Sequence, residues 1–330
     1  MQDTYKIIFS IPVHERLEVV IDQLVNIKHF NPDCGIVIHI SPSLSDTGTL
    51  SIEHFTELTT RIGDVYINPE RVRTGNYDII QAHLTNFLYI SNTVEFEYFA
   101  LCSSNELFVK GGLYQHISQY DCLVWRKEEK DYPNWNHFKA AKRDIVLQQI
   151  MDDLDCDEII GSQIEGSVYR KELFERIYTK ISKRFDYKDI DEKYAREEVY
   201  FSTVFWALDK KETEHNNVCK DVFTWCPWNR RYTMNVLIRE LRRIKETDNK
   251  FFSVKRVDRD IHNHIRSVIR QDAQYLDYEN SIFSGLLSLK EETSFKLYWG
   301  EFRYELYAHF GLIHKLMRHV TKILDSIWKS

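Results

Sequence analysis

The chain of 330 residues lacks several patterns that would place it in a familiar class. Its six cysteines include no C-x-x-C pair, and no histidine cluster at zinc spacing accompanies them, so reduced thiols are expected rather than a zinc site. No apolar run approaches the length of about 18 residues that suggests a membrane span. The N-terminus also lacks the basic and apolar segments of a signal peptide. We therefore expect a cytoplasmic protein.

Several phosphate-binding and catalytic motifs are absent as well. The sequence contains no G-x-G-x-x-G loop, no P-loop, no H-E-x-x-H and no G-x-S-x-G. These absences disfavour a dinucleotide-binding Rossmann enzyme and a P-loop NTPase. The formal net charge of -6 gives no indication of nucleic-acid binding.

The first hundred residues alternate between strand-like and helix-like segments. This alternation predicts an α/β fold, with a mostly parallel, Rossmann-like sheet flanked by helices. In such sheets the ligand lies beyond the carboxyl ends of the strands. The predicted strands cover 5–14, 34–41, 63–69 and 96–104, and the predicted helices cover 16–27 and 76–92. The strand ends are therefore expected at 12–14, 41–43 and 103–106.

The rest of the chain has weaker signals and no obvious linker. Residues 126–158 are polar and aromatic and are predicted to be irregular, and the stretch 127–138 within them is predicted to form a surface loop. We expect one catalytic domain over 1–260 and a helical extension over 261–330. The amphipathic stretch 304–330 either docks on the domain or lies in the plane of a membrane, and the pattern does not choose between them.

Two adjacent carboxylates, Glu197 and Glu198, precede an apolar, aromatic-rich run. Polar residues are common where a helix enters a core, but a carboxylate beside a dry pocket also suits a general base. Two D-x-D triplets, at 155–157 and 189–191, could bind a metal or form solvated surface. Arg231 and Lys255 each border an apolar or aromatic segment. Two such cations could neutralise a departing diphosphate in place of a metal.

Several blocks, in order, resemble the core-2/I-branching N-acetylglucosaminyltransferase and protein xylosyltransferase family in a bacterial form. "IPVHERLEVVIDQL" is similar to the first strand and helix of that family, and "IVIHIS" to its second strand. "FEYFALCSSNELFVK" and "EGSVYRKELFERI" resemble two central blocks. "REEVYFSTV" resembles the block with the P-D-E motif, and "RRYTMN" with "NKFFSVKRVD" resembles the last one. The blocks span residues 6–258.

The resemblance implies a GT-A fold and an inverting sugar transfer from a nucleotide sugar, expected to be UDP-linked, without a metal or other cofactor. It assigns the general base to Glu198 and the diphosphate contacts to Arg231 and Lys255. Further donor contacts are expected at Pro12, Val13, His14, Ser41 and Gly75. Acceptor or donor-sugar contacts are expected at Asn105, Glu106, Glu165, Gly166, Ser167 and Trp228. The implied acceptor is a hydroxyl of a surface glycan, and a lipid-linked glycan would bring 304–330 to the membrane.

The sequence departs from the family at several places. Arg196 replaces the proline of the P-D-E motif, Ser41 replaces a nucleotide-binding aspartate, and no conserved disulfide scaffold is visible. Three alternatives stay open: a metal-dependent transferase using Asp155 and Asp157, a non-catalytic glycan- or nucleotide-binding module, and a hydrolytic or phosphate-transferring enzyme.

Overall fold

A computed structural model describes most of the first 273 residues of the chain. The described residues are 3–14, 16–42, 44, 50–72, 74, 79–184, 194–211, 216–226, 238–248, 250–261 and 263–273. Gly75, Trp228, Arg231, the triplet 189–191 and the stretch 304–330 lie outside them.

Helices and strands alternate over the first hundred residues, as the sequence predicted. In chain order the elements are β1 (Thr4–Val13), α1 (Leu17–Phe30), β2 (Cys34–Ile40), α2 (Ile52–Ile62), β3 (Val65–Ile67), α3 (Ile79–Ser91), β4 (Glu95–Leu101), β5 (Glu106–Phe108), α4 (Leu113–Ile117), β6 (Cys122–Leu123), α5 (Asn136–Ala141), α6 (Ile145–Asp153), β7 (Ser167–Arg170), α7 (Lys171–Ser182), α8 (Glu197–Lys211), β8 (Val218–Cys219), β9 (Thr224–Trp225), α9 (Ile238–Glu246), β10 (Ser253–Lys255) and α10 (His264–Ala273).

Seven strands form the main sheet in the order β3-β2-β1-β4-β7-β6-β8. Four of the six neighbouring pairs are parallel, which confirms the predicted mixed α/β architecture with a mostly parallel sheet. β1 and β2 are buried on both faces, since helices cover the sheet on each side, and this explains their nearly continuous apolar sequences. Strand β7 is antiparallel to β4 and β6, an arrangement that the strand pattern did not reveal.

Residues 126–158 are more regular than the sequence predicted. Two helices, α5 and α6, lie in this stretch, so the prediction that it is irregular was wrong there. Residues 127–135, which make up most of the predicted surface loop, contain no helix. Asp144 caps α6, because its carboxylate accepts hydrogen bonds from the backbone N–H groups of Val146 and Leu147 at 3.1 and 3.2 Å. One face of α6 packs into the core through Leu147, Ile150 and Met151.

A second, three-stranded sheet brings distant parts of the chain together. Its order is β5-β10-β9, with β10 antiparallel to β5 and parallel to β9. The register places Lys255 opposite Glu106. Neither the sheet nor this pairing was predicted from the sequence, because strands of two or three residues carry little periodic signal.

The first part of the predicted helical extension packs on the main domain. Arg266 Nη1 and Arg270 Nη1 of α10 donate to the two carboxylate oxygens of Asp22 in α1, at 2.5 and 3.0 Å, and all three side chains are buried. We call Asp22, Arg266 and Arg270 the anchor. The domain boundary near 260 stays a prediction.

Two further expectations concern the thiols and the membrane. All six cysteines are free, as the sequence predicted. Within the described ranges, no helix has both the length and the apolar character needed to cross a membrane.

Candidate active site

The candidate site lies at one edge of the main sheet, where β1, β2 and β4 end and β7 begins; we call it the site edge. Because β7 runs antiparallel to β4, its first residue, Ser167, pairs with the last residue of β4, Leu101. The backbone N–H of Gly166 donates to the carbonyl of Leu101 at 3.0 Å. This topology brings Glu165 to the same edge as the residues that follow β1 and β4.

Glu198 lies in the first turn of α8, and the residue is only 7% exposed. Its carbonyl accepts a hydrogen bond from the backbone N–H of Ser162 at 2.7 Å, which ties α8 to the segment before β7. Apolar residues surround α8 on nearly all sides, so the helix runs through the core. The carboxylate is therefore fixed by a rigid element.

Arg196 explains one departure from the family pattern. It is buried, and its Nε donates to Asp144 Oδ2 at 3.1 Å. The hydroxyl of Tyr194 donates to the same oxygen at 2.8 Å. Since Asp144 also caps α6, this buried ion pair connects the beginnings of α6 and α8. Arg196 thus positions the turn that carries Glu197 and Glu198.

The pKa of Glu198 is raised to about 7. Burial is the main cause and repulsion by Glu165 is the second, while Lys127, Lys255 and Arg256 oppose the rise. The pKa of Glu197 is raised to about 8 by burial and by Glu198. A carboxylate with a pKa near neutrality can both accept and return a proton under physiological conditions.

Lys255, at the end of β10, is one of the cations that interact with these acids. Its ammonium donates to Glu165 Oε1, and its strand pairs with Glu106 of β5. Burial alone would lower the pKa of Lys255, but Glu165 outweighs that effect and raises it. Burial, and then repulsion by Glu165, raises the pKa of Glu106 to about 8.

We call Glu106, Glu165, Glu197 and Glu198 the carboxylate cluster. Burial is the main cause of the raised pKa values of Glu106, Glu197 and Glu198, and repulsion by a neighbouring acid of the cluster is the second. Glu165 Oε2 and Glu197 Oε2 are buried, and neither has a hydrogen-bond partner among the described residues. Such oxygens are uncommon in native proteins and are compatible with a ligand-binding role.

Asn105 connects the turn after β4 to the end of β10. Its Oδ1 accepts a hydrogen bond from the backbone N–H of Arg256 at 3.1 Å. Arg256 has a φ of 66°, in the left-handed region that costs a non-glycine residue about 1–2 kcal/mol. Sequence reasoning missed Arg256, although it follows Lys255 directly, because the strained turn that places it here is a tertiary feature.

Other predicted residues also lie at the site edge. His14 follows β1, and its pKa is lowered by partial burial and by the cations Arg259 and Lys255. Val13, the last residue of β1, is fully buried, and Pro12 in the same strand is buried as well. Ser41 follows β2, where its hydroxyl donates to the carbonyl of Thr74 at 3.3 Å.

Gly166 and Ser167 support the site rather than lining it. Ser167 has no exposed surface, and its hydroxyl donates to the carbonyl of Gln163 at 2.9 Å. Gly166 has a φ of 82°, and an added Cβ would lie 2.4 Å from the backbone nitrogen of Thr224. These contacts hold Glu165 in place, and the expected substrate contacts at the two positions stay predictions.

Lys127 is a further cation that sequence reasoning missed. Its ammonium lies 4.0 Å from the ring centre of Trp135, 5.1 Å from that of Trp125 and 5.6 Å from that of Tyr132. It interacts electrostatically with Glu198 and Glu165. The sequence placed Lys127 in a run of exposed charges, which gave no signal of this environment.

The acidic triplet at 155–157 lies elsewhere. Asp155 and Asp157 are both exposed in the segment after α6. In the part of the chain that the structure describes, no group of three or more His, Cys, Asp or Glu side chains is arranged to hold a metal ion.

Comparisons with known proteins do not add to this description. No protein-family model matches the chain, and no curated protein matches it significantly. The family resemblance therefore stays a prediction.

Proposed function

We propose that the chain is an inverting glycosyltransferase of the GT-A type, which moves a sugar from a nucleotide sugar, expected to be UDP-linked, to a hydroxyl of a surface glycan. The observation that carries the proposal is the meeting of Glu198 with Lys255 and Glu165 at the site edge. A buried carboxylate and a fixed cation at the carboxyl ends of parallel strands are the groups that such a transfer needs.

In the proposed reaction Glu198 is the general base. Its carboxylate takes the proton of the acceptor hydroxyl while that oxygen attacks C1 of the donor sugar. The bond from C1 to the diphosphate oxygen breaks, and its electron pair leaves with the diphosphate. A single displacement of this kind inverts the configuration at C1. The raised pKa of Glu198, about 7, supports this role.

The departing diphosphate carries negative charge that must be stabilised. We assign this task to Lys255 together with Arg231, which lies outside the described residues. Lys255 already pairs with Glu165, but an ammonium has three donors, so it can bind a phosphate oxygen while it keeps that pair. No metal is required in this scheme.

The donor would lie along the strand ends. His14, Ser41 and Asn105 follow β1, β2 and β4 respectively, which supports their assignment to the donor side. Glu106 and the free oxygen of Glu165 are available to hydroxyls of the transferred sugar. The proposed setting is the cytoplasmic side of a membrane, with 304–330 as a peripheral contact.

The proposal is tested by nucleotide release from UDP-, GDP-, CMP- and dTDP-sugars in EDTA, for wild type, Glu198→Gln and Glu197→Gln. We expect one sugar nucleotide to be turned over. Glu198→Gln should reduce turnover about 100- to 10,000-fold while UDP binding is kept. Glu197→Gln is the matched control, with the same chemical change one residue away, and should lose much less.

Other outcomes would identify the alternatives. Activity that disappears in EDTA would favour a metal-dependent transferase. Binding of a nucleotide sugar without turnover would favour a non-catalytic module. Release of free sugar in the presence of glycan acceptors would favour a hydrolase.

A further inference from the structure

The ammonium of Lys127 is surrounded by three aromatic rings. Trp125, Tyr132 and Trp135 place ring faces around its ammonium, and we call these three residues the aromatic box. Trp125 and Tyr132 meet edge to face, with ring centres 6.2 Å apart. Aromatic faces attract a cation without neutralising it. The box therefore holds a positive charge in a fixed place.

The backbone fixes Lys127 relative to Glu198. Lys127 and Gly161 exchange two backbone hydrogen bonds, of 2.8 and 2.9 Å, and the next residue, Ser162, donates to the carbonyl of Glu198. Gly161 is needed here, because an added Cβ would lie 2.3 Å from the ring of Trp135. A side chain at position 161 would therefore collide with Trp135 of the box, next to the residue that contacts Glu198.

The ammonium of Lys127 has no hydrogen-bonding or ion-pair partner among the residues that the structure describes. Burial lowers its pKa, and Glu198 and Glu165 are the charges that counteract this effect. An ammonium in direct contact with Glu198 would occupy a carboxylate oxygen that the acceptor proton needs. An ammonium held by the box acts through space and leaves that oxygen accessible.

Besides Lys127, two acids and two cations act on the Glu198 carboxylate. Glu197 on α8 and Glu165 before β7 are acids, which favour the protonated form of Glu198. Lys255 and Arg256, at the end of β10, are cations, but Lys255 is paired with Glu165. A bound diphosphate would also interact with the cations at the end of β10. Lys127, in the segment after β6, is a further cation that interacts electrostatically with Glu198.

We propose that Lys127 is a positioning residue whose ammonium, held by the aromatic box, keeps the Glu198 carboxylate ionised while an anionic donor occupies the Lys255 side of the site. The inference rests on the proposed function, in which Glu198 must be ionised to accept a proton. It adds a residue that none of the sequence motifs contains.

The test compares Lys127→Met, an unbranched uncharged side chain that is one atom shorter, with Lys127→Arg, which keeps the charge. Lys130→Met is the matched control, since Lys130 is in the same segment but pairs with Glu128. The first readout is the titration of the Glu198 carboxyl carbon by 13C NMR, assigned with Glu198→Gln. We expect its midpoint to rise by about one pH unit in Lys127→Met and to stay in place in the other two variants.

The second readout is the pH profile of kcat/KM with the sugar nucleotide found in the panel. In Lys127→Met the acidic limb should move upward, with a rate about tenfold lower near pH 6 and little change near pH 9. Lys127→Arg should restore the wild-type limb. If Lys127→Met does not fold, Lys127→Gln replaces it in both measurements.

The two readouts separate two kinds of failure. A Glu198 midpoint that is the same in Lys127→Met and Lys130→Met overturns the inference, whatever the enzyme does. A shifted midpoint in a protein that transfers no sugar keeps the electrostatic link and overturns the proposed function. A loss of rate that is uniform across pH would show that Lys127 only supports the fold.

Discussion

The chain contains two buried groups of charges, and they are built on opposite plans. In the anchor, one carboxylate, Asp22, faces two guanidinium groups, and each of its oxygens accepts a hydrogen bond from one of them. Arg266 and Arg270 also donate to the carbonyls of Asp258 and Ile261. In the carboxylate cluster, four acids share fewer cations, and three of them have raised pKa values of about 7 to 8.

The difference teaches what each group is for. A buried carboxylate whose two oxygens both accept hydrogen bonds from guanidinium groups fixes two elements together, here α1 and α10. An under-compensated cluster opposes folding, so its presence needs another explanation. Perturbed pKa values concentrated at the ends of parallel strands are typical of functional sites. The anchor is therefore structural, and the cluster is the place where we propose catalysis.

The largest effect on stability should come from breaking the anchor. Asp22→Asn leaves two buried guanidinium groups without a counter-charge, so we expect the free energy of unfolding to fall by about 3–5 kcal/mol. Chemical denaturation monitored by circular dichroism measures it. Asp33→Asn is the control, because Asp33 pairs with Lys6 at the exposed surface and should change stability by less than about 1 kcal/mol. Equal losses in both variants would remove the distinction between the anchor and a surface pair.

A smaller effect is expected where the backbone, rather than an ion pair, positions the cluster. Gly166→Ala places a Cβ against the backbone of Thr224 at a positive φ, and should cost about 1–3 kcal/mol while it displaces Glu165. Gly111→Ala is the control, since its nearest neighbour, the carbonyl oxygen of Phe30, is 3.5 Å away. Thermal unfolding and the 13C titration of Glu198 would measure the two consequences. An unchanged melting temperature would contradict the tight fit.

Measured per pH unit, the smallest effect is the pH dependence of stability. Glu197 has a folded pKa of about 8, above its value in an unfolded chain, so between about pH 4.5 and 8 the folded state binds the extra proton. Its contribution to stability is present below this window and is lost as the pH rises through it, by up to about 1.4 kcal/mol per pH unit. Glu197→Gln should flatten this decline. Denaturation curves at pH 5, 6, 7 and 8 check it, and parallel slopes for both proteins would contradict the raised pKa.

Much of the candidate site could be predicted from the sequence, because its residues lie at recognisable ends of elements. Local patterns placed Glu198 at the beginning of an apolar helix and Asn105 and Glu106 after a buried strand. The choice of Glu198 over Glu197 as the base came from the family resemblance. Lys127 and Arg256 could not be selected in this way. Lys127 lies in a polar segment whose environment depends on Gly161 and Trp135, and Arg256 depends on a strained turn held by Asn105.

Arg196 also shows that a local motif does not reveal partners that are distant in the chain. The sequence identified it as a departure from the family motif, which put the motif in doubt. The structure shows a buried pair between Arg196 and Asp144, which lies 52 positions away in the chain. A local motif cannot contain such a partner, so a substitution that looks disruptive in the motif is compatible with a well-held first turn of α8.

The sequence by itself determined the alternation of strands and helices, the mostly parallel main sheet and the acids that begin α8, since these follow from periodicity and from residue types that are adjacent in the chain. Only the tertiary structure decided which charges meet. Lys255 meets Glu106 and Glu165 because β10 pairs with β5 beside the start of β7. Lys127 is held next to the segment that contacts Glu198 because its backbone pairs with Gly161. Electrostatic interaction depends on distance through space and on burial, and neither is encoded in local sequence spacing.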